Sequence, residues 1–316
     1  MLVKHFKDKH IPGVVALWNR NCDTELPYKL FTEESFKDKF TRNPHFSYAG
    51  TFVGMEDEEV IAFANGIIKK ELLPGESYQN TPGYLTFVLV DEAHRRKGYG
   101  SEMLKVVENY FRDNDKEEIQ IIFFNPINLE WNIPGTDGHD HPNTPGVDVD
   151  GPGYPFFKAR GYEERTREAS MYLELSKFEL PKGIISKLDE LESRGIVIEY
   201  YDPQKHPDGF EQLFDNLKNE HWRQDISDNL EREEPYPVLV ASDEGRICGF
   251  AGPIAVQKSG RGWFSGIGVD PGYGGMGIGT TIFFMLMRSF KDVGAKFSTL
   301  FTGETNPAKK IYDRAG

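Results

Sequence analysis

Two hydrophobic rhythms run along the chain. Alternating or short unbroken apolar runs mark strands, and apolar residues three and four apart mark helices. Residues 2–6 read as a short strand. Residues 11–19 read as a helix with Val14, Val15, Leu17 and Trp18 on its apolar face. A second helix is predicted over 33–40. Two strands follow at 47–55 and 59–68, joined by the acidic turn Glu56-Asp57-Glu58. A third strand, 84–90, leads into a glycine-rich stretch and then a helix with Met103, Val107, Tyr110 and Phe111 at helical spacing. The run 118–124 is apolar enough for a buried strand.

The second half repeats this order. A strand at 196–200 precedes a helix near 209–220. A hairpin follows, 237–242 and 246–256, with Asp243-Glu244-Gly245 as its turn. A strand at 263–269 enters a second glycine-rich stretch. Its helix carries Ile282, Met285, Leu286 and Phe290, and a strand at 297–301 comes next. Val90 corresponds to Val269 and Glu118 to Phe297, both at an offset of 179. A repeat of this period is a duplicated domain rather than a solenoid. The segment 176–195, with Pro181-Lys182-Gly183 and a helical stretch at 184–191, reads as a linker. The expected domains are therefore 1–176 and 177–316.

Composition narrows the class. The 316 residues suffice for two domains of roughly 150 residues each. With 23 Phe and 14 Tyr, both can build a core. No apolar run approaches the ~18 residues of a membrane span, and the N-terminus lacks a signal-peptide core. Cys22 and Cys248 fall in different halves, which fits a reduced cytoplasmic protein better than a disulfide framework. The net charge of −13 argues against nucleic acid as a partner and suits a neutral or cationic small molecule. The oligomeric state stays open.

The candidate chemistry lies in the two glycine stretches. The first is Val90-Asp91-Glu92-Ala93-His94-Arg95-Arg96-Lys97-Gly98-Tyr99-Gly100. The second is Val269-Asp270-Pro271-Gly272-Tyr273-Gly274-Gly275-Met276-Gly277-Ile278-Gly279. Each sits between a strand and a helix, where free backbone N–H groups form a phosphate cradle. Candidate cofactor contacts are Leu89, Val90, Arg95, Arg96, Lys97, Gly98, Tyr99, Gly100 and Ser101 in the first copy. In the second they are Gly268, Val269, Gly274, Gly275, Gly277, Ile278, Gly279 and Thr280.

These residues resemble the GNAT superfamily of acyl-CoA-dependent N-acetyltransferases, whose pattern is Arg/Gln-x-x-Gly-x-Gly/Ala. Arg95, Gly98 and Gly100 match it fully, whereas the second copy has Gly274 in place of Arg or Gln. The resemblance covers most of the chain and is similar to the mycothiol-synthase type of double-domain GNAT protein, without extending to that substrate. It implies an α+β fold, present twice in tandem, each a mostly antiparallel twisted mixed sheet flanked by helices. It also implies acetyl-CoA as co-substrate, held in a split between the fourth and fifth strands, and direct attack by a primary amine. A backbone N–H near Leu89-Val90 or Gly268-Val269 would polarise the thioester. The stretch from Asn306 to Gly316 resembles the family's Asn-x-Ala-x-x-x-Tyr-Glu-x-x-Gly. This makes Tyr312 the candidate general acid and Asn306 a further cofactor contact. In the first half Phe157 stands opposite Tyr312 and has no proton to give; Tyr154 is a shifted alternative.

The two sites are therefore expected to be unequal. The first loop is basic, with His94, Arg95, Arg96 and Lys97; the second relies on backbone N–H groups and the helix dipole. The second half is expected to catalyse, with the first as a degenerate copy that still binds acyl-CoA. Glu220, His221, Asp225 and Glu304 are weak candidates for a base. Aligning Gly161 with Gly316 drops the offset to 155, so the first half carries 24 extra residues within 125–150. This stretch should lie beside the first transfer site, in a gating or domain-contact role. His139 and His141 with nearby aspartates have a spacing that metal sites use, but no metal is expected. The second half ends at Gly316 with no counterpart to 162–175. Its sheet is either cut short or completed by another segment or chain. The readings that remain are transfer to a small, cationic or polar amine, transfer to a peptide or protein amine, and a non-catalytic acyl-CoA sensor or scaffold.

Overall fold

The computed structural model describes residues 1–22, 27–123, 125–144 and 146–316. The chain divides into two compact units, Met1–Glu163 and Glu164–Gly316.

The first unit runs β1 (Leu2–His5), α1 (Ile11–Cys22), α2 (Glu33–Lys39), β2 (Thr51–Glu56), β3 (Glu59–Ile68), β4 (Gly83–Val90), α3 (Tyr99–Asp113), β5 (Ile119–Gln120), β6 (Trp131–Asn132), β7 (Asp140–His141) and α4 (Gly153–Lys158). Its sheet has the order β1-β2-β3-β4-β5. Strand β3 is buried along nearly its whole length because helices cover both faces. Phe6, Phe36 and Phe40 pack on the α1/α2 side, each edge to face with Phe63. Met103, Leu104, Val107 and Phe111 of α3 fill the other. Helix α2 starts at Thr32, whose hydroxyl accepts from Ser35 N at 3.1 Å while Ser35 Oγ accepts from Thr32 N at 2.9 Å, a reciprocal cap.

The pairing of β4 is what positions a site. It runs parallel to β5 only at Gly83–Ile119 and Tyr84–Gln120. Its register with β3 shifts so that Phe87 faces Asn65 and Leu85 faces Gly66, leaving Thr86 as the extra residue of a bulge. Beyond Tyr84 the two strands diverge. The strand expected over 118–124 is thus seen only at Ile119–Gln120, and Phe124 lies outside the described residues.

The second unit runs β8 (Glu168–Glu174), α5 (Lys182–Glu192), β9 (Ile196–Tyr200), α6 (Glu211–Leu217), α7 (Glu220–Leu230), β10 (Leu239–Asp243), β11 (Arg246–Gly252), β12 (Ala255–Val256), β13 (Arg261–Trp263), β14 (Gly266–Val269), α8 (Ile278–Asp292), β15 (Phe297–Gly303) and α9 (Lys309–Ala315). The expected strand 263–269 is broken at Phe264-Ser265. Strand β13 stays with β15 in the sheet β12-β13-β15-β8, while β14 joins β14-β11-β10-β9. The break falls 179 positions after Leu85-Thr86, so both units open their sheet at the same point.

Three expectations are corrected here. The stretch expected to close the first half, 162–175, supplies β8, which pairs antiparallel with β15 from Phe297–Glu174 to Gly303–Glu168. The second sheet is thereby completed by an earlier segment, and the units meet at Glu163/Glu164 rather than 176/177. Helix α5, read as linker, buries Ile184 and Leu191 against Ile278, Ile282 and Leu286 of α8. The single helix expected near 209–220 is two, α6 and α7, which pack Phe210, Phe214 and Ile226 on the other face against Val240 and Phe250.

Candidate active site

Both glycine loops follow one backbone track. Asp91 Oδ1 accepts from Ala93 N at 3.1 Å, and Asp270 Oδ1 from Gly272 N at 2.8 Å, each starting a short 3-10 turn. Arg20 Nε donates to Asp91 at 2.7 Å and Asn216 Nδ2 to Asp270 at 2.6 Å, pinning the two turns to α1 and α6. The chain then turns left-handed at Arg96 (φ 64°) and Gly275 (φ 77°), and again at Gly98 (φ 87°) and Gly277 (φ 86°). Helices α3 and α8 begin directly after. Their first-turn N–H groups have no intrahelical acceptor and converge at the loop. Open space surrounds Gly98 and Gly275. The two loops thus offer an anion free N–H groups and the positive end of a helix dipole.

The side chains are deployed differently from the sequence expectation. Arg95 and His94 turn inward. Asp91 N bonds back to Ile61 O at 2.9 Å, so by strand alternation the N–H and C=O of Val90 face the open edge. Arg95 Nε donates to that carbonyl at 3.0 Å and its Nη2 to Asn21 Oδ1 at 3.1 Å. His94 lies between Asp91 at 3.2 Å and Glu56 at 3.3 Å. Tyr99 donates to Glu56 Oε1 at 3.0 Å. Arg96 and Lys97 remain exposed. Arg160 joins them: it hydrogen-bonds Ser101 Oγ and stacks 3.7 Å from the Phe156 ring, which lies over Gly100. Leu89 and Ile278 are core side chains, so only their backbones face the loops.

The second loop also has a cation the sequence did not reveal. A Cβ at Gly277 would come within 2.7 Å of Lys187 Cε. Lys187 belongs to α5, and its ammonium pairs with Glu190 at 2.7 Å. The segment read as linker therefore brings positive charge to the loop that lacks an arginine. Asn306 is exposed in the turn before α9, its Oδ1 accepting from Ala308 N at 2.9 Å. Gly268 and Val269 lie on the open β14 edge, Gly274 in the loop that continues it, and Gly279 and Thr280 in the first turn of α8.

Around the second gap, the two faces of the sheet carry different groups. Gly266 and Gly268 face α7, and a Cβ on either would meet the Trp222 indole. Ile267 and Val269 face α8. At the break, Ser265 N and Oγ both lie 3.1 Å from Gly252 O. Asp225 of α7 lies near Ser265, and burial holds its carboxyl above the usual aspartate value. Glu220 is tied to Arg223 at 3.0 Å, and His221 is exposed, 3.7 Å from Asp225. Glu304 is exposed.

Tyr312 lies on the other face. Its ring packs at a tilt 4.7 Å from Phe283, and it lines a cavity of about 330 Å³ with Met171, Leu173, Met287, Ser298 and Leu300. Burial raises its phenol above the usual tyrosine value, keeping it protonated at neutral pH. The cavity lies over the paired strands β8 and β15, between them and helices α8 and α9. In the first unit Phe157 packs against Tyr162 at 5.2 Å.

Residues 125–144 of the extra segment are folded. Asn125 lies 3.4 Å from Thr86 at the β4 bulge. The β6–β7 hairpin then packs on residues 27–29: Trp131 bridges to Tyr28, Asn132 N donates to Pro27 O at 2.5 Å, and Lys29 pairs with Asp140. His141 stacks on Trp131 at 5.9 Å. Among the described residues, no three His, Cys, Asp or Glu side chains are grouped to hold a metal. Cys22 and Cys248 are buried, and burial pushes both thiols up to about 12. No described helix is long and apolar enough to cross a membrane.

The GNAT acetyltransferase family model matches the chain twice, at residues 15–129 and 198–316. The chain belongs to the GNAT family of acetyltransferases. It is an acyltransferase with two GNAT units in tandem. Solved structures agree on the fold. The GNAT region of a fungal multi-domain GH3 beta-N-acetylglucosaminidase superposes over 100% of this chain and 36% of that one, with 15% identity and a TM-score of 0.67. A GCN5-related N-acetyltransferase from Sphaerobacter thermophilus covers 100% and 91% at 14% identity and TM-score 0.62. A tandem GNAT protein from the clavulanic acid pathway covers 99% and 94% at 13% identity and TM-score 0.55. The chain thus spans about a third of the fungal protein and most of the other two. No curated protein matches it in sequence.

Proposed function

We propose that this tandem GNAT protein moves an acetyl group from acetyl-CoA to a primary amine of a small, polar or cationic molecule, and that the second unit performs the transfer. The observation that carries this is the divergence of β14 from β15 beside a glycine loop, with a protonated tyrosine lining the cavity along β15. The first unit has the same divergence and loop, but Phe157 where the acid belongs. Its role is to bind acyl-CoA through the α3 first turn with Arg96, Lys97 and Arg160.

In the second unit the donor's pyrophosphate lies on the first turn of α8, with Lys187 adding the charge that Gly274 and Met276 do not. The thioester arm runs along the open edge of β14, where the Val269 N–H polarises its carbonyl. The amine attacks that carbon, the C–S bond breaks, and the departing thiolate takes the Tyr312 proton. The acidic surface favours cationic acceptors.

Thiol release from acetyl-CoA with a panel of small amines tests the reading. Turnover is expected with at least one cationic amine. Tyr312→Phe should lower kcat by about 10²–10⁴-fold, the range for a general acid. Tight CoA binding without turnover on any amine would instead make the protein a sensor. Unchanged Tyr312→Phe turnover at every pH removes the acid assignment.

A further inference from the structure

The second unit lacks a carboxylate on the strand next to the thioester: β13, β14 and their connection read Arg-Gly-Trp-Phe-Ser-Gly-Ile-Gly-Val. A cationic acceptor must nevertheless lose a proton before it can attack. The group placed to take it comes from α7. Asn219 Oδ1 caps this helix at Trp222 N, 3.1 Å away. Trp222 then lies on Gly266 and Gly268, which fixes the helix against β14. Asp225 follows three residues later, on the same helix face. It arrives at Ser265, in the gap where the sheet opens.

The surrounding acids are otherwise engaged. Arg223 binds Glu211, Asp215 and Glu220. Among the described residues no lysine or arginine pairs with Asp225. The groups facing it are His221 and Asp228 of its own helix and the Ser265 hydroxyl from the strand connection. Asp225 lies on the α6/α7 face and Tyr312 on the α8/α9 face, so the opening in the sheet separates a proton acceptor from a proton donor.

We propose that Asp225 is the general base of the second unit, acting on the acceptor ammonium from the α7 side of the gap. This rests on the reading of that unit as the transferase. The nitrogen begins with three protons and ends with one. The first goes to Asp225 and then to water. The nitrogen lone pair forms the C–N bond, the C–S pair leaves on sulfur, and Tyr312 protonates the thiolate. The second nitrogen proton restores the Tyr312 phenol, so each cycle releases one proton.

The test is the pH profile of kcat/KM for a strongly basic amine with the full chain. Asp225→Asn is expected to lose about 10²–10⁴-fold near neutral pH. The loss should shrink as pH approaches the ~10.4 of an alkylammonium. An amine of low basicity, already neutral at pH 7, should lose little, and Asp225→Glu should recover part of the rate. Acetyl-CoA affinity by calorimetry should be unchanged, which separates a lost base from a disturbed fold. A profile for Asp225→Asn within twofold of wild type at every pH overturns the assignment alone. Absence of thiol release by the wild-type protein overturns the transferase reading, and this assignment with it.

Discussion

Arg96 holds a left-handed backbone, φ 64°, where its counterpart is Gly275 at φ 77°. That conformation costs an L-residue about 1–2 kcal/mol, partly offset by the entropy a glycine would lose. Its retention fits a side chain kept for its charge. Arg96→Gly should therefore raise stability by about 0.5–1 kcal/mol in urea unfolding while weakening CoA binding by the first unit. Lower stability would show that the side chain supports the loop. Asp225 gives a matching signature in pH. Burial raises its folded value above the ordinary 3.8. Between those two values the folded state binds more protons than the unfolded one, so stability falls as pH rises through that window. Asp225→Asn should flatten the fall and raise Tm at neutral pH even as activity drops. A Tm–pH curve identical to wild type would contradict the buried placement. Both residues were candidates from the sequence, but neither the left-handed backbone of Arg96 nor the burial of Asp225 was legible there. The glycine spacing was visible, but the inward turn of Arg95 depends on Asn21 of α1, far away in sequence.

At the level of elements, the site depends on how α7 seats on β14. Gly266→Ala drives a methyl into the Trp222 indole and should cost about 1–3 kcal/mol, as overpacking does. Because it displaces α7, it should also lower the rate with a basic amine more than with a neutral one. Equal losses on both would mean that α7 carries no base. The sequence reading ran α6 and α7 together for a physical reason. Lys218 ends α6 in a left-handed conformation, φ 53°, without the glycine or proline that normally marks such a stop. The broken strand was hidden similarly. Residues 263–269 keep a strand's composition throughout, and only the change of partner from β15 to β11 divides them.

For the whole molecule, the decisive feature is β8. A fragment beginning at Glu164 should unfold cooperatively in urea. One beginning at Lys177, the boundary expected from the repeat, leaves the β15 edge uncovered and should aggregate or unfold without cooperativity. Equal behaviour of the two fragments would show that β8 is dispensable. Several properties were set by the sequence alone, because they reside in neighbouring residues: the strand and helix types, the duplication at an offset of 179, the glycine loops before α3 and α8, and the tyrosine motif of α9. Periodicity and φ preference act over a few residues and survive any packing. The tertiary structure alone decided which sheet β8 completes, that Lys187 from the apparent linker reaches Gly277, that the β6–β7 hairpin packs on residues 27–29, and that Asp225 stands at the gap. Each of these joins residues distant in the chain. Such pairings are chosen by burial and register across the folded unit, which no local pattern encodes.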